Sequence, residues 1–199
     1  ELGINQGTSG NISLRWEDGI LITPTGVPYE ELNPDDICWQ HLDGEVKGKR
    51  EITSEWRFHN EIQRHRPDVN AVVHTHSNHA TALAIQEMGI PAIHYMVAAG
   101  GGPNIRCAPY ATFGTQELAE NAVTALKNRS CCLLAHHGVI ATGSSLSKAL
   151  WLASEVETIA KQYILILSTG QKPKLLSDAE IERVRTKMSG YGLKTAKTS

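Results

Sequence analysis

Phenylalanine is nearly absent from this chain, with two in 199 residues against nine histidines. Cysteine is scarce too, and none of Cys38, Cys107, Cys131 and Cys132 forms a Cys-x-x-Cys pair. Nothing in that inventory asks for an oxidising compartment, so a cytoplasmic location is the expectation. Cys131 and Cys132 stand in an apolar run and read as small core residues. No apolar run approaches the length of a membrane span; residues 164–167 are far too few. No secretory leader is visible. With 19 basic and 21 acidic residues the formal net charge is −2. No basic stripe points to nucleic acid, and no acidic tail points to a solvating arm. Internal repeats and linkers are missing as well. One domain over residues 1–199 is expected, long enough to bury a substantial core.

What the chain does have is the stretch Ala71-Val72-Val73-His74-Thr75-His76. Alternate residues of an extended strand share a face. His74 and His76 therefore project together from the end of an apolar strand, which makes half of a transition-metal site. Ser77-Asn78-His79 follows. The run falls one residue short of the His-x-His-x-Asp-His pattern of metallo-hydrolases, because Asn78 cannot ionise; a binuclear hydrolase is disfavoured. A third ligand should come from another strand end. Residues 131–138, ending His136-His137-Gly138, are the candidate. If both histidines continue a strand they face opposite ways and one reaches the metal; spacing does not say which.

Around these pieces the pattern alternates between strands and helices. A hairpin is expected over residues 12–16 and 20–23, turning at Glu17-Asp18-Gly19 with Gly19 at positive φ. A one-turn helix at 29–32, a strand at 37–41 and a turn at Asp43-Gly44 come next. A helix begins after Thr53-Ser54, either of which can cap it, with Glu55 in its first turn, and stops at Arg66-Pro67. A short helix at 79–86, an extended piece at 91–95, a loop at 98–103, an extended piece at 108–110 and a helix at 115–127 follow. Strands at 130–136 and 139–143 then precede a helix at 146–167 with a 3.6-residue apolar period. Ser177 caps a last helix at 178–188. The opening Glu1-Leu2-Gly3 reads as the end of an earlier helix, so further N-terminal residues are expected. Hairpins followed by alternating strands and helices fit an α/β fold, a mixed sheet with helices on its faces.

Glu55 on this pattern is first an ordinary first-turn carboxylate, favoured by the helix dipole. It is also the acidic residue just ahead of the histidine strand. Gly7-Thr8-Ser9-Gly10-Asn11, Thr25-Gly26, and Thr53-Ser54 each form a small cradle of N–H groups and hydroxyls beside a strand end, suited to an anion. None matches a Walker or dinucleotide fingerprint, and each alone is an ordinary turn. Together they favour a phosphorylated ligand. A structural zinc site would be cysteine-rich and closed; an all-histidine site with a carboxylate and phosphate cradles looks catalytic.

The strings NQGTSGNIS, LITPTGVPYE, SEWRFH, AVVHTH, PAIHYM, CAPYATFGT, LLAHHG and KALWLASEVE together resemble the L-fuculose-1-phosphate aldolases of the class II aldolase/adducin superfamily. The likeness runs in order from about Leu2 to Leu193. It implies a three-layer α/β/α subunit with a mixed, largely antiparallel sheet. It implies an enzyme with one Zn²⁺ per subunit that cleaves a 1-phosphorylated ketose to dihydroxyacetone phosphate and an aldehyde such as L-lactaldehyde. The resemblance matches His74, His76 and His137 to the zinc ligands. It matches Glu55 to the catalytic acid/base, which also sits on the metal when no substrate is bound. Thr8, Gly10, Asn11, Thr25, Gly26, Thr53 and Ser54 match phosphate-binding positions. Tyr95 matches a tyrosine that reaches a neighbouring subunit's site, and Phe113 and Tyr191 match residues at the aldehyde end. A four-fold homotetramer with active sites at its interfaces is implied. Neither nucleic acid nor membrane is an expected partner.

Two departures stand out. Ile52-Thr53-Ser54-Glu55 replaces the family's Pro-Ser-Ser-Glu, which keeps the hydroxyl and is expected to loosen the start of the helix. Met188 falls where an aromatic often lines the aldehyde site. Other members of the superfamily are sugar-phosphate 4-epimerases, a methylthioribulose-phosphate dehydratase and the adducin binding module. The epimerases usually place Asp at the position of Glu55, and the adducin role predicts missing histidines. Aldolase is the first reading and dehydratase the second.

Overall fold

The structure is a computed structural model that describes residues 2–189. Eight strands form one sheet: β1 (Asn11–Trp16), β2 (Gly19–Ile22), β3 (Cys38–His41), β4 (Val46–Lys47), β5 (Ala71–Thr75), β6 (Arg106–Ala108), β7 (Cys131–Leu134) and β8 (Gly138–Gly143). Their order is β4-β3-β2-β1-β5-β8-β7-β6. Every neighbouring pair is antiparallel except β6 with β7. Five helices accompany it: α1 (Trp56–His65), α2 (Asn78–Ile85), α3 (Gln116–Ala125), α4 (Leu146–Leu167) and α5 (Asp178–Ser189).

The two-residue period of the central strands builds two cores. Ala71 and Val73, Cys131 and Leu133, Val139 and Ala141 face one way, against α2 and α4. Val72, Cys132, Leu134 and Ile140 face the other way, against α1 and α3. Helices on both faces of a mixed sheet give the three-layer α/β/α arrangement. Each fully buried Val, Leu or Ile contributes roughly 1.5–3 kcal/mol, so two faces of such residues fix the strand register. In α4 the buried set Ala149, Leu152, Ala153, Val156, Ile159, Ala160 and Tyr163 keeps the three- and four-residue spacing, and Ser145 caps the helix by accepting the N–H of Lys148. Cys131 and Cys132, adjacent in sequence, end in opposite cores, and all four cysteines are free.

Several local expectations are corrected. In the β1–β2 turn Glu17, not Gly19, has positive φ (53°). Gly19 opens β2 and is needed for closeness, since a Cβ there would meet the Gln40 carbonyl oxygen at 2.3 Å. Residues 91–95 do not form a strand; Tyr95–Gly100 is a 3-10 helix, with Val97, Ala98 and Gly100 buried. Thr53 and Ser54 do not cap α1: Glu55 itself holds the cap position. Ile52 is tied into the fold ahead of that segment. It bridges Pro24, and backbone bonds from Thr25 to Glu51 (3.0 Å) and from Thr53 to Thr23 (3.1 Å) hold it on both sides. Residues 135–137 leave the sheet as a turn rather than continuing β7. Among the described residues no helix is long and apolar enough to cross a membrane.

Candidate metal centre and active site

Strand β5 is buried along its whole length, and His74 and His76 stand at its end. Their side chains do share a side. Their Nε2 atoms lie 2.9 Å apart. The third histidine comes from the β7–β8 turn. His136 takes positive φ (54°) there, an unusual conformation for a residue with a side chain, and its N–H is held by the Ala84 carbonyl at 3.1 Å. The backbone reverses at that point and delivers His137, not His136, to the cluster. The three rings pack edge to face, with centroids 4.8, 4.8 and 5.0 Å apart. His136 points to the rim, where its ring meets Tyr110 edge-on.

Glu55 completes the group. It is 7 % exposed rather than a surface carboxylate. Its Oε1 lies 3.0 Å from His137 Nε2, and its Oε2 lies 3.2 Å from His74 Nε2. Burial raises the Glu55 carboxyl, but the His137 and His74 imidazoles beside it outweigh burial and hold it well below the usual carboxylate range. It is therefore ionised. Burial, with the charges of His74 and His137, pushes His76 down to about 4.

The donor set fits a cation. The Nδ1–H of His74 donates to the Val139 carbonyl at 2.8 Å, which fixes the ring and turns its Nε2 toward His76 and Glu55. Glu55 Oε1 is buried with no hydrogen-bond donor satisfying it. Ring nitrogens and a carboxylate oxygen thus converge on one space, a donor set that a single positive ion would satisfy. His74, His76, His137 and Glu55 offer ligand atoms all within 4.8 Å of one another. Nitrogen and oxygen donors of this kind suit a first-row divalent metal. Gly138 keeps the space open: a Cβ there would meet the Thr75 carbonyl oxygen at 2.4 Å and His76 Cδ2 at 3.0 Å. Behind His76 the chain is pinned by Glu157 of α4. That carboxylate accepts the N–H groups of His79 and Ala80 and contacts His79 Nδ1 at 2.6 Å, so His79 is occupied away from the cluster.

Glu55, His76 and His137 form one wall of a cavity of about 390 Å³, with His74 buried behind them. Thr8, Gly10, Asn11, Thr25, Gly26, Thr53 and Ser54 all line it, so three segments far apart in sequence meet as one cradle. Gly10 is required: its φ is +78°, and a Cβ would meet the His74 carbonyl oxygen at 2.6 Å. Phe113 lines the rim and is 64 % exposed. Tyr95 is 51 % exposed, with its ring against His94, and does not line this cavity. Met188 packs with the cluster of Ala92, Ala98 and Ile181 instead. Tyr191 lies outside the described residues. Sequence reasoning missed Tyr110 and His136 at the rim, and it missed His59, which lies behind the cavity. His59 follows Glu55 by four positions, one turn of α1, and that spacing was the available signal.

Comparison with known proteins agrees with this geometry. Residues 1–164 match the family described as Class II Aldolase and Adducin N-terminal domain. The chain is 53 % identical over 193 residues to L-fuculose phosphate aldolase of Escherichia coli (strain K12), covering 97 % of this chain and 90 % of that protein. It is 51 % identical over 191 residues to the 5-methylthioribulose-1-phosphate/5-deoxyribulose-1-phosphate aldolase of Rhodospirillum rubrum, covering 96 % and 86 %. A solved L-fuculose 1-phosphate aldolase structure superimposes with a TM-score of 0.90 at 38 % identity, over 94 % of this chain and 88 % of that one. By its sequence, its three-layer fold and its histidine–carboxylate cluster, the chain belongs to the class II aldolase and adducin family.

Proposed function

We propose that this protein is a zinc-dependent aldolase that reversibly cleaves a 1-phosphorylated ketose of the L-fuculose 1-phosphate type. The products are dihydroxyacetone phosphate and an aldehyde such as L-lactaldehyde. One observation carries the reading: three imidazoles and the Glu55 carboxylate converge, and Glu55, His76 and His137 of that group line a cavity whose other wall is an anion cradle. His74, His76 and His137 would hold the zinc, with Glu55 as a further ligand before substrate arrives. Bound there, zinc would supply Lewis-acid polarisation of the substrate oxygens.

The protein's own groups do the rest. Thr8, Gly10, Asn11, Thr25, Gly26, Thr53 and Ser54 take the phosphate. That remote binding fixes the reacting carbons beside the histidines. In cleavage the bond between C3 and C4 breaks, and the electron pair stays with the dihydroxyacetone phosphate half. In synthesis the Glu55 carboxylate takes the proton from C3 of dihydroxyacetone phosphate; in cleavage the protonated Glu55 carboxyl returns that proton to C3 and is left ionised. In synthesis Tyr95 gives its phenolic proton to the aldehyde oxygen, and in cleavage its phenolate takes that proton back from the C4 hydroxyl as that carbon becomes the aldehyde. Its exposure and its absence from the lining of its own cavity support a role in a neighbouring subunit's site within a homotetramer. Phe113, with Tyr191, would face the aldehyde. The cytoplasm is the compartment this reading assigns.

The similarity to the Rhodospirillum rubrum aldolase supports a second substrate class, 5-substituted ribulose 1-phosphates, cleaved by the same kind of step. A panel of 1-phosphorylated ketoses with the zinc-loaded protein decides between them. Release of dihydroxyacetone phosphate is expected, fastest from L-fuculose 1-phosphate. No release from any member of the panel would overturn the proposal.

A further inference from the structure

The buried polar groups behind Glu55 form a single chain. Ser13 Oγ lies 2.8 Å from His59 Nδ1, and His59 Nε2 lies 2.6 Å from Asn11 Oδ1. Asn11 Nδ2 donates to Glu55 Oε2 at 2.9 Å and to Thr53 Oγ1 at 3.1 Å. Ser13 and Asn11 are two positions apart on β1 and so share a face, the one covered by α1. All five residues are buried, and His59 is 0 % exposed.

The direction of every bond in this chain follows from the Asn11 amide. Its NH₂ is turned toward both Glu55 Oε2 and Thr53 Oγ1. Its carbonyl oxygen then faces His59 and can only accept, so Nε2 of His59 carries the hydrogen. A neutral imidazole has a single N–H. Nδ1 is therefore the acceptor, and the Ser13 hydroxyl donates to it. Burial, with the nearby His74, pushes His59 down to about 3, so the ring stays neutral at any ordinary pH. The chain also has an outward branch. Thr53 Oγ1 accepts from Asn11 and from the N–H of Glu55 at 3.3 Å. Its own hydrogen is left to donate into the cavity.

We propose that His59 is a positioning residue for the proposed aldolase reaction: held by Ser13, it locks the Asn11 amide so that Asn11 aims both the Glu55 carboxylate and the Thr53 hydroxyl at the substrate. It touches neither substrate nor metal. Without its N–H, the Asn11 amide is free to turn over. The turned amide would set its oxygen against the Glu55 carboxylate, and Glu55 would lose a charge-assisted hydrogen bond. This inference rests on the aldolase reading, and the test separates the two.

The experiment measures kcat, KM and zinc content for L-fuculose 1-phosphate cleavage by the native enzyme and by His59→Leu, His59→Gln and Ser13→Ala. Glutamine places an amide N–H where His59 Nε2–H stood. His59→Leu should lower kcat by roughly tenfold to a hundredfold with zinc content unchanged, and His59→Gln should recover most of it. Ser13→Ala should lower kcat by less than His59→Leu. Native kcat in His59→Leu would overturn the proposal, as would a His59→Gln enzyme as slow as His59→Leu. If His59→Leu does not fold, the ring itself gives the answer. Long-range proton–nitrogen correlation spectra of the native enzyme should show His59 as the Nε2–H tautomer, and the Nδ1–H tautomer would overturn the proposal. The aldolase reading fails separately, if the native enzyme releases no dihydroxyacetone phosphate while His59 still shows the Nε2–H form.

Discussion

Asn11 stands directly opposite His74 in the antiparallel β1–β5 ladder. A donor to the Glu55 carboxylate and a candidate metal ligand therefore share one rung of the sheet. At this rung strand register joins the anion cradle to the histidine cluster. Misregistering β1 by one residue would turn Asn11 to the other face and take Ser13 with it.

Gly138 gives the most local test of the histidine cluster. It opens β8 directly behind the cluster, where a methyl group would collide with the Thr75 carbonyl and press on His76. Gly138→Ala should destabilise the fold by about 1–3 kcal/mol and weaken metal binding together. Calorimetry with elemental analysis checks both, and a variant with native stability and full metal would show that the turn has slack.

Acid should expose the buried histidine. His59 sits at about 3 in the folded protein against an ordinary 6.5. Below pH 6.5 the unfolded chain therefore binds a proton that the folded chain refuses. The stabilisation is complete above pH 6.5 and is lost as pH falls toward 3, by about 1.4 kcal/mol per pH unit. His76, pushed down to about 4, acts with the same sign. Glu55, held low, adds its loss only below the ordinary carboxylate range. Urea midpoints at pH 7, 6 and 5 should fall more steeply for the native protein than for His59→Gln. Equal slopes would contradict a neutral buried imidazole.

Tyr95 is exposed and does not line its own chain's cavity. Inactive Tyr95→Phe subunits mixed with inactive Glu55→Gln subunits should regain part of the native activity, because some sites then receive an intact residue from each chain. No recovery in verified mixed assemblies would count against a shared site.

The histidine pair was legible because the two-residue strand period is local: His74 and His76 needed no tertiary information. The choice between His136 and His137 was not legible from spacing; only the family resemblance named His137. Strand parity assumed both lie in β7, whereas the chain leaves the sheet at Leu134 and His136 bends to positive φ. Glu55 looked like a first-turn surface carboxylate because its burial comes from β1, 44 positions away in the Asn11 contact. The relay through His59 was hidden for the same reason. Its spacing from Glu55 was visible, but Ser13 and Asn11 reach it only once β1 lies over α1. The two helical cores were readable throughout, since the apolar period of α4 and the alternation of β5, β7 and β8 are strong and local.

The central claim is that Glu55 moves the proton at the reacting carbon beside a three-histidine metal site. Its most direct test is the single-turnover cleavage rate of L-fuculose 1-phosphate by zinc-loaded Glu55→Gln, measured with its metal content. The variant should keep its zinc and lose roughly a hundredfold or more in rate, the usual effect of removing a general acid/base. Native-rate cleavage by a zinc-replete Glu55→Gln enzyme would contradict the account.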